Sequence, residues 1–365
     1  MRTEAERLLK LFSETPGASG DEGLVRKAYH QELKGLDGHD FAVDRSGCVM
    51  CSRASDPQDG PRVMVTAHMD EVGFMVQNIT ADGFIQFVNL GGWWSHTVLA
   101  QGVSVLTRSG KRIAGCVASI PPHQLGADAR MKVMALESMS IDVGAESRAQ
   151  VTDEFGIQLG DAIVPATAFQ AMAHPDRFLG KAFDNRVGMA MLTQTMQRLA
   201  GETLPNRLLG VATVQEEVGC RGARTASALA KPDVAIVLEG PPADDTPGMS
   251  RDDAQGALGA GVQIRVMDPR ALSSSRLVKF VLDQAKAAGI KHQVTVRRGG
   301  GTDASAIHLH DLGVPSIVLG VPVRYIHSHH SILQITDYQE GLKLVEQVVR
   351  ALDADAVGGL IDFLG

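Results

Sequence analysis

The sequence predicts an α/β protein in which a sheet sandwiched by helices is interrupted by an inserted small β-barrel or sandwich. Two observations predict it. From about residue 180 onward, short apolar runs of strand length alternate with amphipathic stretches of helix length, the pattern of a sheet covered by helices. Between residues 69 and 169 the helix-length signals vanish, and short strands separated by Gly turns replace them, which indicates a small closed or two-layered β unit. A composition of 365 residues, 44% hydrophobic and 21% charged, can fill the core such a fold needs. The division expected is 1–68 with 170–365 as one α/β domain and 69–169 as the insertion.

The elements follow in order. Residues 1–12 mix charges with apolar positions at helical spacing and lack the uninterrupted apolar core of a signal peptide. No apolar run approaches the roughly 18 residues of a spanning helix, so the expected location is the cytoplasm and no membrane partner is expected. Net charge is −7 without a basic cluster, which argues against nucleic acid and anionic membranes. Cys48 and Cys51 form a Cys-x-x-Cys, but no second pair or His-x-His completes a metal knuckle. They read as a strand leaving a turn, with one thiol facing inward, and Cys116 and Cys220 read as small buried apolar groups.

Residues 62–67 read as a buried strand. In the insertion, 73–79 and 83–88 flank a turn at Ala81-Asp82, and 103–107 pairs with 112–117 across Ser109-Gly110. The α/β pattern then gives a helix at 185–199, strand 207–214, helix 222–229, strands 234–238 and 262–266, helix 273–288, strand 293–296, helix 303–310 and strand 316–319. The last helix, from 337 to about 352, opens on Thr336-Asp337-Tyr338-Gln339, which reads as a capping box.

Chemistry-bearing residues recur where these strands end. His68 and Asp70 follow strand 62–67, Glu216 and Glu217 follow 207–214, Glu239 follows 234–238, and His327 follows 316–319 after a loop. Ligands gather beyond the carboxyl ends of strands in open α/β sheets, so the recurrence points to one cleft. Asp184 precedes a helix, where Asp is also a favoured N-cap. The combined set of two His with Asp and Glu carboxylates is an N/O donor set that suits Zn²⁺, Co²⁺ or Mn²⁺ and lacks structural-zinc thiolates. Gly299-Gly300-Gly301-Thr302-Asp303 precedes a helix but lacks the Lys-Ser/Thr of a phosphate-binding loop. Asp303 can be read as a helix cap. Trp93-Trp94 can be read as a sugar platform, but in a β unit it reads better as packing or interface.

His68-Met69-Asp70-Glu71-Val72-Gly73, Gly180-Lys181-Ala182-Phe183-Asp184-Asn185-Arg186, Gln215-Glu216-Glu217-Val218-Gly219-x-Arg221-Gly222-Ala223, Gly301-Thr302-Asp303-Ala304 and Arg324-Tyr325-Ile326-His327-Ser328 together resemble the M42 family of dinuclear metallo-aminopeptidases, the glutamyl and TET aminopeptidases. The resemblance runs from about residue 5 to 350. It implies a three-layer zinc-exopeptidase-like fold whose inserted β domain serves dimerisation. It implies two divalent metal ions per subunit, Zn²⁺ first, Co²⁺ or Mn²⁺ as alternatives. His68 and Glu239 would hold one ion, Glu217 and His327 the other, and Asp184 would bridge them. Glu216 would be the general base, Asp70 would orient His68, and Gly301 and Thr302 would line the substrate cleft.

The implied reaction removes the N-terminal residue of short peptides with a free N-terminus. The implied assembly is a homo-oligomer, dimers built into a tetrahedral dodecamer. The chain departs from the pattern at Glu239, where many members carry Asp, and the extra methylene moves the carboxylate outward by about one bond. His329 competes with His327 as ligand, and its neighbours in the motif favour His327. An amide deacylase or carboxypeptidase on the same fold, and a non-catalytic scaffold, are the alternatives.

Overall fold

The computed structural model describes residues 2–250 and 252–364. Its centre is a nine-stranded sheet. From one edge the order is His39–Val43, Val49–Arg53, Arg207–Thr213, Arg62–His68, Val234–Glu239, Ser316–Gly320, Val262–Asp268 and Ala271–Leu272, with His292–Val296 alongside Val262–Asp268. The four inner strands, Arg207–Thr213 through Ser316–Gly320, are mutually parallel. They are buried almost throughout, as continuous apolar runs must be when both sheet faces are covered.

Helix Phe183–Leu199 packs on three of these strands and carries helices Arg2–Glu14, Gly23–Leu33 and Ile335–Ala351. Helix Arg221–Ala230 packs on Arg207–Thr213 and on the short helix Ala304–Ile307. Between Arg62–His68 and Phe183–Leu199 the chain builds a closed six-stranded barrel, in the order Gly73–Ile79, Ile85–Leu90, Ser140–Asp142, Arg112–Ala118, Gly102–Leu106 and Ala162–Pro165. Its own core holds Phe74, Phe87, Val105, Ile141 and Ile163. Trp93 stacks on Phe74 at 4.6 Å and donates its indole N–H to Gly73, so one ring of the Trp pair is packing, while Trp94 is exposed.

The barrel resolves the choice between barrel and sandwich, since all six strands pair to closure. A four-stranded sheet of Gln170–Ala171, Arg177–Gly180, Ser331–Gln334 and Val323–Arg324 was not legible; its strands are too short to show periodicity. Several local expectations are corrected. The predicted capping box does not form, because helix Ile335–Ala351 starts directly from strand Ser331–Gln334, one residue before Thr336. Asp337 instead accepts the backbone N–H groups of Gly259 and Gly261 at 2.6 and 2.8 Å. The helix expected at 303–310 is confined to Ala304–Ile307. Both Cys48 and Cys51 are buried, whereas Cys116 is exposed, because it sits at an outward position of the strand Arg112–Ala118.

Candidate active site

The carboxyl ends of the four parallel strands meet in a cleft of about 660 Å³, the position expected for ligands in an open α/β sheet. His68 and Glu239 are the last residues of their strands. His68 pairs in register with Thr213, which leads through Val214 and Gln215 to Glu216 and Glu217. The cap position of helix Phe183–Leu199 is Ala182, and Asp184 stands in the first turn with non-helical backbone angles, lining the cleft. Its carboxylate therefore faces the cleft rather than capping the helix.

Two imidazoles converge on that carboxylate. His68 Nε2 lies 3.4 Å from Asp184 Oδ1, and His327 Nε2 lies 3.5 Å from Asp184 Oδ2. Glu239 Oε2 is 3.7 Å from His68 Nε2, while Glu217 Oε2 is 3.3 Å from His327 Nε2. Two triplets share Asp184, His68 with Asp184 and Glu239, and His327 with Asp184 and Glu217, each compact enough for its donor atoms to hold one metal ion; His68 with Glu216 and Glu217 forms another such group. Glu216 Oε2 lies 3.9 Å from His68 Nε2. His329 does not join them; it is buried against Trp93, and burial lowers its pKa to about 4.

Asp70 does more than orient an imidazole. His68 Nδ1 lies 3.1 Å from the Asp70 backbone carbonyl and 3.3 Å from its Oδ1, and the carboxylate accepts the backbone N–H groups of Glu216 and Glu217 at 2.9 and 3.1 Å and the Ser19 hydroxyl at 2.6 Å. Burial alone would raise its pKa, but these donors, His68 foremost, hold it below the usual value. One buried carboxylate thus fixes both the first imidazole and the Glu216-Glu217 turn. The next residue, Glu71, pairs with Lys181 at 2.5 Å and Arg186 at 3.2 Å, all three fully buried. Arg186 also donates to the carbonyls of Phe12, Thr15 and Gly17. The network ties the strand end that carries His68 to the residues flanking Asp184.

Close backbone approach completes the geometry. A Cβ at Gly92 would lie 3.2 Å from His327 Nδ1, and one at Gly240 would lie 2.5 Å from the Phe183 carbonyl. Ala182, Gln215, Cys220, Tyr325 and His327 all have left-handed backbone angles, each costing on the order of 1–3 kcal/mol that the surrounding structure must offset. Such strain concentrated round one cleft is typical of functional sites.

The charges fit a cation site. Burial raises the pKa values of Glu216, Glu217 and Glu239, and neighbouring carboxylates add to it. Burial pulls His68 and His327 down, yet the carboxylates around them outweigh it and both end raised. Glu217 Oε1 and Glu239 Oε1 are buried with no hydrogen-bond partner, an exposure to low dielectric that carboxylates rarely tolerate without a cation. The N/O donor set suits a borderline divalent ion.

The profile of the M42 glutamyl aminopeptidase family matches residues 47–344. The chain belongs to the M42 family of aminopeptidases. These are hydrolases of peptide bonds, and so is this enzyme. The glutamyl aminopeptidase of Lactococcus lactis subsp. cremoris is 37% identical over 356 residues, 97% of this chain and 98% of its own. The TET aminopeptidase of a marine sediment archaeon of the Thaumarchaeota has a TM-score of 0.93 at 38% identity, over 98% of this chain and 99% of that one. Pyrococcus horikoshii TET1 peptidase, described as assembling into a tetrahedron or a large octahedral shell, has a TM-score of 0.83 at 29% identity, over 95% and 100%. The M42 fold, with its sheet, flanking helices and small barrel, is therefore this protein's fold.

Sequence reasoning named every member of the two triplets and Asp70. It missed three groups, two lining the cleft and one, Asp303, next to it. Arg270 lines the wall beside Gly301; Asp303 does not cap a helix but accepts the Thr213 hydroxyl at 2.5 Å; and Cys220 contacts Glu216. The four-residue spacing of Glu216 and Cys220 was the available signal, hidden because the thiol read as a small apolar group.

Proposed function

We propose that this enzyme is a dinuclear metal-dependent aminopeptidase acting on short peptides with a free N-terminus. The observation that carries the reading is the placement of Asp184, whose two oxygens each face a different imidazole. In this reading His68 and Glu239 would hold one ion and Glu217 and His327 the other, with Asp184 available to both. Zn²⁺ suits the donor set best, with Co²⁺ or Mn²⁺ as alternatives. When bound, such a pair supplies Lewis acidity, lowering the pKa of water and polarising the scissile carbonyl.

The chain's own residues do the rest. Glu216 takes the proton of the attacking water and delivers it to the leaving amine, a role worth on the order of 10²–10⁴ in rate. Its raised pKa, from burial and then from neighbouring carboxylates, suits a base that must also act as acid. Asp70 keeps the Glu216 backbone in place and His68 in one orientation. Gly301 and Thr302 line the cleft where the peptide would lie.

The cleft also supports a preference for an acidic first residue. Arg265, Arg270 and Arg297 line it. Arg265 is paired with Asp268 and Arg297 with Asp244, while Arg270 has no acidic partner among the described residues. Its guanidinium is free to meet a substrate carboxylate. The similarity to a glutamyl aminopeptidase points the same way.

Residues 1–68 with 170–365 form the catalytic domain and 69–169 the inserted domain in this reading. The barrel serves dimerisation, with a tetrahedral dodecamer above the dimer, supported by the shells described for the Pyrococcus relative. Four free cysteines agree with a reducing cytoplasm. The test is a panel of aminoacyl-p-nitroanilides and matching N-acetylated peptides, assayed with protein stripped of metal and refilled with Zn²⁺, Co²⁺ or Mn²⁺. Turnover of free-amine substrates alone, highest for glutamyl and lost on chelation and in Glu216→Gln, supports the reading. Activity confined to N-acylated substrates overturns it in favour of a deacylase.

A further inference from the structure

Glu216 has a second set of neighbours besides the imidazole of His68. Cys220 Sγ lies 3.3 Å from Glu216 Oε1, and Ser305 Oγ lies 3.4 Å from the same sulfur. Asp303 completes the group: one donor atom each from Glu216, Cys220 and Asp303 lie within 4.8 Å of one another. Asp303 is almost wholly buried, and although its Oδ2 accepts from Thr213, its Oδ1 is buried with no hydrogen-bond partner. A buried carboxylate with one orphaned oxygen, in a group with a thiol and a second carboxylate, calls for an electrophile.

The spacing fits a metal. Zn–S and Zn–O bonds of about 2.3 and 2.1 Å at a tetrahedral angle put sulfur and oxygen roughly 3.6 Å apart, close to the 3.3 Å between Cys220 and Glu216. The donors also differ in kind from those around Asp184, which offer only nitrogen and oxygen. A thiolate selects soft ions. Glu216 and Cys220 both line the cleft, so an ion arriving from solvent reaches them.

We propose that Glu216, Cys220 and Asp303 form a separate site for a single soft divalent cation, Zn²⁺ in excess or Cd²⁺, and that its occupancy inhibits the enzyme by capturing Glu216. On binding, the Cys220 thiol releases its proton to solvent, and the thiolate with two carboxylates compensates the ion's charge. Held by the ion, Glu216 no longer accepts a proton from water. The inhibitory consequence rests on the reading of Glu216 as the base; the binding does not.

The experiment titrates Cd²⁺ into the metal-loaded enzyme carrying Cys116→Ser, which removes the exposed thiol. Each sample is read for the ultraviolet thiolate-to-cadmium charge-transfer band and for residual peptidase rate, relative to the same variant without cadmium. The expected result is a band that saturates at one added Cd²⁺ per subunit in step with loss of activity. Adding Cys220→Ser abolishes the band and raises the half-inhibiting concentration at least roughly tenfold, the loss seen even for indirect ligand partners. Asp303→Asn raises it as well while the thiol remains. Absence of the band, or half-inhibition unchanged in Cys220→Ser, overturns the site. A saturated band with an unchanged rate overturns the inhibition and counts against Glu216 as base, which the Glu216→Gln assay checks independently.

Discussion

The two sides of the Asp184 carboxylate are built differently. On one side His68 and Glu239 close parallel strands in the middle of the sheet, and their side chains are 1% and 5% exposed. On the other side His327 hangs from a loop with left-handed backbone at Tyr325 and His327, and its side chain is 36% exposed. The first half inherits its position from the sheet's hydrogen bonds and from Asp70; in the second, Asp70 holds the backbone of the buried Glu217, but His327 depends on a strained loop and on the close approach of Gly92. A ligand set carried by regular structure is preorganised, whereas one carried by a loop must be held by everything around it. The half built on the sheet is therefore expected to bind its ion more tightly, and the loop half to exchange with solvent.

The largest effect should come from the residue both halves share. On the proposed dinuclear reading, Asp184→Asn is expected to lose both ions by elemental analysis and to lower kcat/KM by at least the ~10²–10⁴ that a general base contributes; retention of either ion would mean the halves are independent. Next is the buried network behind the sheet half. Glu71→Gln leaves Lys181 and Arg186 without their buried carboxylate, and should cost about 3–5 kcal/mol of stability in denaturant melts. A cost within a few tenths of that for an exposed pair would show that the network does not brace the site.

The comparison itself is tested by His68→Ala against His327→Ala. The loop variant is expected to keep one ion at full occupancy, while His68→Ala weakens metal retention at least roughly tenfold more in competition with a chelator. Equal losses would remove the distinction between the halves. The smallest effect is the pH dependence. Both imidazoles have raised pKa values in the metal-free protein, so their charged contacts stabilise it fully below the unfolded histidine value and are lost as pH rises through the raised values. An ion needs the neutral ring, so metal uptake weakens as pH falls. The chelated protein should thus melt at lower temperature as pH rises past that window, while ion binding strengthens over the same range, followed by calorimetry.

Much of this was legible because the sheet advertises itself. His68, Glu216, Glu217 and Glu239 follow apolar runs whose strand character is plain, and parallel strands bring their carboxyl ends together without further instruction. Asp184 was ambiguous, since an Asp before a helix is more often a cap; the non-helical backbone at Asp184 and Asn185 turned it into the cleft. Asp70's grip on the Glu216-Glu217 backbone was invisible, because a hydrogen bond to a main-chain N–H leaves no mark in residue type. Cys220 is buried as expected, and the cluster it forms with Asp303 left no mark for a related reason: only the packing of helix Arg221–Ala230 near Ala304–Ile307 sets them beside Glu216.

What the sequence by itself determined was the order of strands and helices, the interruption by a β unit, and the kinds of donor available, since these follow from periodicity and side-chain chemistry along the chain. What only the tertiary structure decided was barrel over sandwich, the buried braces of Asp70 and Glu71, and the second cluster on Glu216. Those depend on contacts between residues distant in sequence, such as Glu71 with Lys181 and Glu216 with Asp303, and their energies come from burial and backbone strain that exist only once the chain has closed on itself.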